Sequence, residues 1–249
     1  MTPELDTVRR RLVDIVLAGV LLIALAPLFV VVALAVRLDS AGPILYRAPR
    51  VGRAHQPFQM LKFRSMQADA DKLGAGVSGQ DDARVTRVGR ILRTTKLDEL
   101  PQLVNVVQGT MTLVGPRAES PRYLAHYLPH ERILLAVRPG MTGPGQIEFT
   151  KRQAAELDGL DDPDRYYVEH QLHDKLALDL DYLAERSLSR DVEIVASTLV
   201  LVVSAAGRAL AEVITSRRRA PDLVLTHSSQ MSSRQARAQR IGRGSEPPV

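Results

Sequence analysis

The chain opens on an uncharged apolar run from Ile15 to Val36. As a helix rising ~1.5 Å per residue, such a run is about 33 Å long, close to the thickness of a bilayer core. Pro27 sits near its centre. It has no N–H to give the carbonyl of Ile23 and its ring crowds that turn, so a kink or break is predicted at Ala26–Pro27. Arg9, Arg10 and Arg11 precede the run, and Arg37, Arg47, Arg50 and Arg53 follow it. Positive charge normally stays cytoplasmic, and here it flanks both ends. The length and the lack of a small-x-small cleavage site argue against a signal peptide. A spanning helix and a helix that enters and turns back both fit these residues, because proline also occurs in spanning helices.

Beyond the run, Pro43–Tyr46 and Pro57–Phe63 read as short strands separated by Gly52 and polar residues. Helical pattern follows at Met66–Lys72, at Val88–Arg93 and at Asp98–Val107, with Gly109 as a stop. Within His170–Glu185, Leu172, Leu176, Leu180 and Leu183 form a helical stripe. Val192–Gly207 is apolar but carries Glu193, Ser197, Thr198 and Ser204, which favours an interfacial helix. From Ser216 to Val249 the composition of Ser, Arg, Gln, Gly and Pro predicts disorder. The reading is α+β and predominantly helical: a membrane helix over 1–38, a globular and interfacial region over 39–212 with a small β element, and an Arg-rich disordered tail over 213–249.

Charge changes this picture less than its size suggests. The net charge is +5, but residues 216–249 hold seven Arg against Asp222 and Glu246, so the remainder is near neutral. The basic character belongs to the tail, where it can meet anionic lipid, and the folded region shows no nucleic-acid signature. There is no Cys, which excludes disulfides, thiolate metal sites and a Cys nucleophile. Aromatics are 4% and Trp is absent, against an aromatic-rich stacking surface. His170 and His173 lie three apart with no companion carboxylate motif, and read as surface residues.

The stretch with chemical content is DDARVTRVGRILRTTKLDELPQLVNVVQGTMTLVGPR, residues 81–117. Proline belongs in the first turn of a helix, so Pro101 predicts a helix starting near Asp98. Asp98 and Glu99 then sit at its positive end, where carboxylates stay ionised. Arg84, Arg87, Arg90 and Arg93 precede them at intervals of three, and Arg117 follows. Paired carboxylates among guanidiniums suit phosphoryl transfer, one attacking phosphorus and the other holding Mg²⁺. An acidic pair also serves as a helix cap and an arginine row as a solvated face. These residues alone leave both readings open.

The order of segments goes further. RRLVDIVLAG, then DSAGPILYRAPRVG, LKFRSM, the 81–117 stretch and RPGMTG resemble the bacterial sugar transferase family, the monotopic phosphoglycosyl transferases, over about residues 10–205. The resemblance implies an enzyme at the cytoplasmic face of the bacterial inner membrane. Its substrates would be a UDP-sugar and polyprenyl (undecaprenyl) phosphate, in the first membrane step of polysaccharide or glycoconjugate assembly. Asp98 would take the phosphosugar, releasing UMP, and Glu99 would hold Mg²⁺. Pro116 and Arg117 match a phosphate-binding Pro-Arg-Pro turn. Lys62, Arg64, Arg84 and Arg138 match basic positions near the site. The apolar run would be a re-entrant helix broken at Ala26–Pro27 and embedded among membrane lipids. A homodimer is compatible with all of this.

Some positions depart from the family pattern. Ala26 replaces the usual Ser before Pro27, which predicts a softer bend; Ala118 replaces the second proline of the phosphate turn; and Asp82-Ala83-Arg84 lacks a proline. Gln146-Ile147-Glu148-Phe149 stands where an Asn-Gly-Arg is frequent, so no sugar preference carries over. The chain begins at the re-entrant segment and reads as the minimal form, without the spanning helices that larger members add.

Overall fold

In the computed structural model, residues 8–70, 76–79, 82–208 and 211 are described, the side chains of 150–155 excepted. The chain divides into two units, Met1–Val203 and Ser204–Val249. Of the second, residues 204–208 and 211 are helical, and the expected disordered tail over 213–249 lies outside the described residues. The elements below belong to the first unit, which holds both the apolar run and the globular region.

The apolar run folds as α1 (Val8–Ala24) and α2 (Ala26–Asp39), bent by 63° at Leu25. Pro27 occupies the first turn of α2, where a missing N–H costs nothing. The ladder is otherwise kept, Leu25 N donating to Leu21 O at 2.9 Å and Phe29 N to Leu25 O at 2.9 Å. The pair is bent by 63° with Ala26 at the break. Neither helix alone is long and apolar enough to cross a membrane; the bent pair together is, by length and composition.

Polar groups fasten this pair to the rest. Arg11 donates to the last carbonyls of α4 (Gln102–Gln108), Val106 O at 2.5 Å and Val107 O at 2.8 Å. Arg10 pairs with Asp191. Asp14, only 6% exposed, accepts from Thr112 Oγ1 at 2.6 Å and from Leu113 N at 3.1 Å. Two of the three arginines that read as topology markers are therefore also fasteners. The end of α2 is held by Arg64, whose Nη2 donates to Ser40 O at 2.7 Å and Ser40 Oγ at 2.9 Å. Val32 and Val36 of α2 pack on Phe63 and Leu92.

Leu45–Val51 (β1) and Pro57–Phe63 (β2) form an antiparallel hairpin in which Tyr46 faces Lys62 and Arg50 faces Phe58. Arg87–Thr95 (α3) starts at the Thr86 cap, where Gly89 N donates to Thr86 Oγ1 at 3.0 Å. A single 3₁₀ turn, Leu97–Glu99, then leads into α4. Thr112–Val114 (β3) and Gly140–Thr142 (β4) pair in parallel. These two strands were missed in the sequence because three residues are too few to show alternation. A Cβ on Gly140 would lie 2.2 Å from Gly115 N, so glycine is required there. Pro144–Leu157 (α5), Pro163–Tyr167 (α6) and His173–Ala184 (α7) follow, and residues 188–203 are helical.

Two expectations need correction. No α-helix forms at 66–69, where Gln67 N donates to Arg84 O at 2.9 Å and Met66 bridges Val85, so a distant segment takes the backbone groups; Ala70 is in a 3₁₀ turn, and Asp71 and Lys72 lie outside the described residues. The helix expected from His170 is preceded by a π-turn over Val168–Leu172, with α6 before it. Its stripe is buried as foreseen: Leu172, Leu176 and Leu183 pack with Tyr123, Tyr127 and Tyr167.

Asp14→Ala removes a buried acceptor for two groups of β3, and is expected to cost about 1–3 kcal/mol. The thermal midpoint of the detergent-solubilised protein checks this; an unchanged midpoint would mean that the carboxylate does not hold α1.

Candidate active site

Asp98 and Glu99 lie on the 3₁₀ turn between α3 and α4. Lys96, in a left-handed conformation with φ of 60°, ends α3 and redirects the chain into this turn. Pro101 then precedes α4, so the helix begins at Gln102, later than expected, and the acidic pair occupies the turn in front of it. Both side chains face inward, each residue 6% exposed.

Three elements converge on Glu99. Lys62, near the end of β2, places Nζ 3.0 Å from Glu99 Oε1 and 3.9 Å from Asp98 Oδ2. Arg117, just past β3, brings Nη2 to 3.4 Å from Glu99 Oε1. Gln146, in the first turn of α5, donates from Nε2 to Glu99 Oε2 at 2.9 Å. Asp98 Oδ1, in contrast, is buried without a hydrogen-bond partner. Glu99 is tied down on both oxygens, while its neighbour keeps one oxygen uncommitted.

The two carboxyls are driven apart in acidity. Burial pushes Asp98 up, with Glu99 adding to the rise and Lys62 opposing it. Burial also works against Glu99, but Lys62 and Arg117 overcome it and hold the group well below the usual carboxylate range. The sequence-based picture had a helix dipole keep both ionised; burial and the placement of the cations set the two acidities apart, which a dipole alone does not do. Glu99 is the persistent anion, and Asp98 is the more basic of the two. Pairs separated in this way by their surroundings divide roles between them.

Behind the turn stands a second buried layer. Asp179 of α7 accepts from Arg117 N at 3.0 Å and from Gly145 N at 3.1 Å, so it fixes both segments that reach Glu99. Burial pushes its carboxyl up to about 6. Glu119 accepts from Tyr167 Oη at 3.0 Å and pairs with Lys175. Gln146 and Asp179 were not singled out from the sequence. Asp179 did leave a signal, being spaced three after Leu176 and four before Leu183, in phase with the apolar stripe.

Not every expected site residue joins the pair. Lys62 and Arg117 do. Pro116 supports the turn through its carbonyl, which accepts from Gly140 N at 2.7 Å. Arg64 instead secures the end of α2. Arg84 forks onto Asp82, at 2.6 Å through Nη2, and donates to Ala70 O at 3.0 Å. Arg138 donates from Nε to Gly109 O at 2.8 Å, closing the end of α4. The resemblance matched these three to basic positions near the site; in the structure each guanidinium binds backbone carbonyls, and Nε and Nη1 of Arg64 are buried without a hydrogen-bond partner. Arg93 lies closer in: it donates to Ser78 Oγ at 2.7 Å, and burial depresses it against the pull of Asp98. Ser78, Asp82 and Arg84 line a cleft of about 570 Å³ with residues 157–164. His173 pairs with Glu131 at 2.7 Å and His170 stacks on Tyr166 at 4.4 Å, away from any metal-like grouping.

Among the described residues no three His, Asp or Glu side chains gather as a complete metal cage. Two adjacent carboxylates with an uncommitted oxygen nevertheless fit Mg²⁺, a hard cation commonly held by one or two carboxylates with phosphate and water completing its shell.

A buried carboxylate pair under basic side chains defines a phosphoryl-transfer site as a class. Comparison with known proteins makes this particular. The bacterial sugar transferase family matches residues 5–205. A Caulobacter vibrioides protein named UDP-glucose:undecaprenyl-phosphate glucose-1-phosphate transferase is 38% identical over 196 residues, covering 77% of this chain and 68% of its own. The exopolysaccharide production protein PSS of Rhizobium leguminosarum bv. phaseoli is 37% identical over 203 residues, 79% of this chain and 96% of its own. An Aeromonas hydrophila UDP-N-acetylgalactosamine-undecaprenyl-phosphate N-acetylgalactosaminephosphotransferase is 33% identical over 201 residues, 80% of this chain, which spans 44% of that relative. The chain belongs to the bacterial sugar transferase family and is a sugar-phosphate transferase.

The acidity of the pair sets a pH dependence. A carboxylate attacks phosphorus only when ionised, and burial raises the folded-state pKa of Asp98 above the ordinary aspartate value, so an attack by Asp98, as proposed below, carries a pH signature. The rate should therefore fall on the acid side through a pH above that value. Lys62→Met removes a charge that lowers the Asp98 pKa, so the acid limb should move to higher pH, as read from initial rates across a buffer series. A limb that stays in place would show that Lys62 does not set the acidity of Asp98.

Proposed function

We propose that the protein transfers a sugar 1-phosphate from a UDP-sugar to a polyprenyl phosphate through a covalent phosphosugar on Asp98. The observation that carries the reading is the split pair: a buried carboxylate with an oxygen that has no hydrogen-bond partner beside one anchored on both oxygens by Lys62, Arg117 and Gln146. The names of the relatives support the substrates. They include both glucose and N-acetylgalactosamine donors, and the sugar used by this chain is left open.

Asp98 attacks the phosphorus that bears the sugar, forming a P–O bond as the bond to UMP breaks and its electron pair departs with UMP. Lys62, within reach of both carboxylates, orients the attacking group and screens it from Glu99. Arg117 faces the phosphate oxygens from the opposite element. A phosphate oxygen of the polyprenyl carrier then bonds to the same phosphorus, and the electron pair of the Asp98–P bond returns to the carboxylate. Splitting the transfer lets one site serve both halves. Mg²⁺, held through Glu99, would neutralise charge on the diphosphate.

The bent α1–α2 pair is proposed as a re-entrant wedge with both ends at the cytoplasmic face of the inner membrane. The 63° break, basic residues at both ends and exposed apolar side chains such as Val16, Val20, Val31 and Leu34 support it. A wedge of this kind holds the site at headgroup height, where a lipid phosphate meets a soluble nucleotide sugar.

Asp98→Asn is expected to lower UMP release from UDP-sugars by several orders of magnitude with polyprenyl phosphate and Mg²⁺ present; full activity in this variant would refute the covalent role. Topology is read from single cysteines at Thr7 and Ser40 in this Cys-free chain. An impermeant thiol reagent added outside intact inner membranes should reach neither, and labelling of one alone would mean that the segment spans.

A further inference from the structure

Arg50 has no part in the roles above. In the β1–β2 register Arg50 faces Phe58, Ala48 faces Met60 and Tyr46 faces Lys62. Side chains alternate along a strand and paired residues project the same way, so Arg50 and Lys62 rise from one face of the hairpin. Ala48 and its partner Met60 lie between them on that face and pack into the core. Arg50 Nε is buried with no hydrogen-bond partner, and Nη1 donates only to the adjacent Pro49 O at 3.0 Å. Burial and then the nearby Arg117 make its charge unfavourable, with Glu119 opposing, and the charges of Arg50 and Arg117 both bear on Lys62. Three cations thus stand within electrostatic reach of one another. Lys62 and Arg117 have Glu99 as a partner, whereas among the described residues Arg50 has no carboxylate within ion-pair distance. Val51 N donates to Glu119 O at 3.1 Å, which brings the end of β1 against the segment that carries Arg117, and a guanidinium there with an unmet buried donor favours an anion.

The direction of displacement says which anion. Entering and leaving oxygens lie in line on opposite sides of phosphorus. Asp98 enters in the first half-reaction and leaves in the second. The departing UMP phosphate and the attacking lipid phosphate must therefore both lie opposite Asp98, in turn. Both are phosphate monoesters. We infer that Arg50, beside Arg117, forms one phosphate-monoester subsite that holds UMP in the first half-reaction and polyprenyl phosphate in the second. This rests on the proposed function.

The test is binding to the Asp98→Asn full chain in detergent micelles, which forms no adduct and needs no turnover. UMP and a short-chain polyprenyl phosphate should displace one another. Adding Arg50→Gln should weaken both on the order of 10- to 100-fold, the loss of one charge-assisted contact. Arg50→Lys should recover part of each affinity and carries the comparison if the Gln variant does not fold. Arg47→Gln removes a charge from the exposed opposite face of the same strand and should change neither. Simultaneous binding of the two ligands, an effect of Arg50→Gln on one alone or on neither, or an equal effect of Arg47→Gln would overturn the shared subsite. Failure of the underlying reaction reads separately, as the absence of UMP release from the wild-type enzyme.

Discussion

Burying two adjacent carboxylates is unfavourable twice over, because each loses water and each repels the other. At Asp98 and Glu99 the fold resolves this by concentrating its cations on one of them. Lys62 from the hairpin, Arg117 from the loop after β3 and Gln146 from α5 all bind Glu99, and only Lys62 comes near Asp98. The rest of the fold serves this asymmetry. Asp179 fixes the backbone at Arg117 and Gly145, and Asn105 of α4 holds the strand that carries Lys62, accepting from Leu61 N at 2.9 Å.

The same elements reach the apolar helices. Arg11 closes the end of α4 and Asp14 grips β3, so the segments that flank the site are the ones to which α1 is fastened. At the far end of the pair, Asp39 accepts from Val88 N at 3.0 Å and joins the end of α2 to α3. If the helices set depth in a membrane, they set it for the carboxylates too, because hydrogen bonds join them directly to the segments that flank the site. Acidity, position and depth are then one property of the packing.

Much of this was legible in the sequence. Pro27 placed the helix break, since a residue without an N–H has few places in a helix. Pro101 and Gly109 bounded the segment next to the acidic pair, and the second strand of the hairpin followed from local pattern, whereas the first, expected at Pro43–Tyr46, runs from Leu45 to Val51 because it pairs along its whole length with the second. What escaped were features made by distant partners. The parallel pairing of Thr112–Val114 with Gly140–Thr142 has no local periodicity, and the capture of Gln146 by Glu99 joins positions far apart in the chain. Arg64, Arg84 and Arg138 match basic positions of the family, but which backbone carbonyls their guanidiniums bind was not visible in the sequence. The separation of the two acidities escaped for a similar reason: a dipole at a helix start is visible in sequence, and burial is not.

The central claim is that the oxygen left uncommitted at position 98 bonds to phosphorus. Intact-protein mass spectrometry after incubation with a UDP-sugar and Mg²⁺, without lipid acceptor, tests it most directly. The account predicts a gain equal to one phosphosugar, mapped by proteolysis to the peptide containing Asp98 and lost when polyprenyl phosphate is added. UMP release and lipid product without any such adduct, or an adduct mapped to another residue, would contradict it.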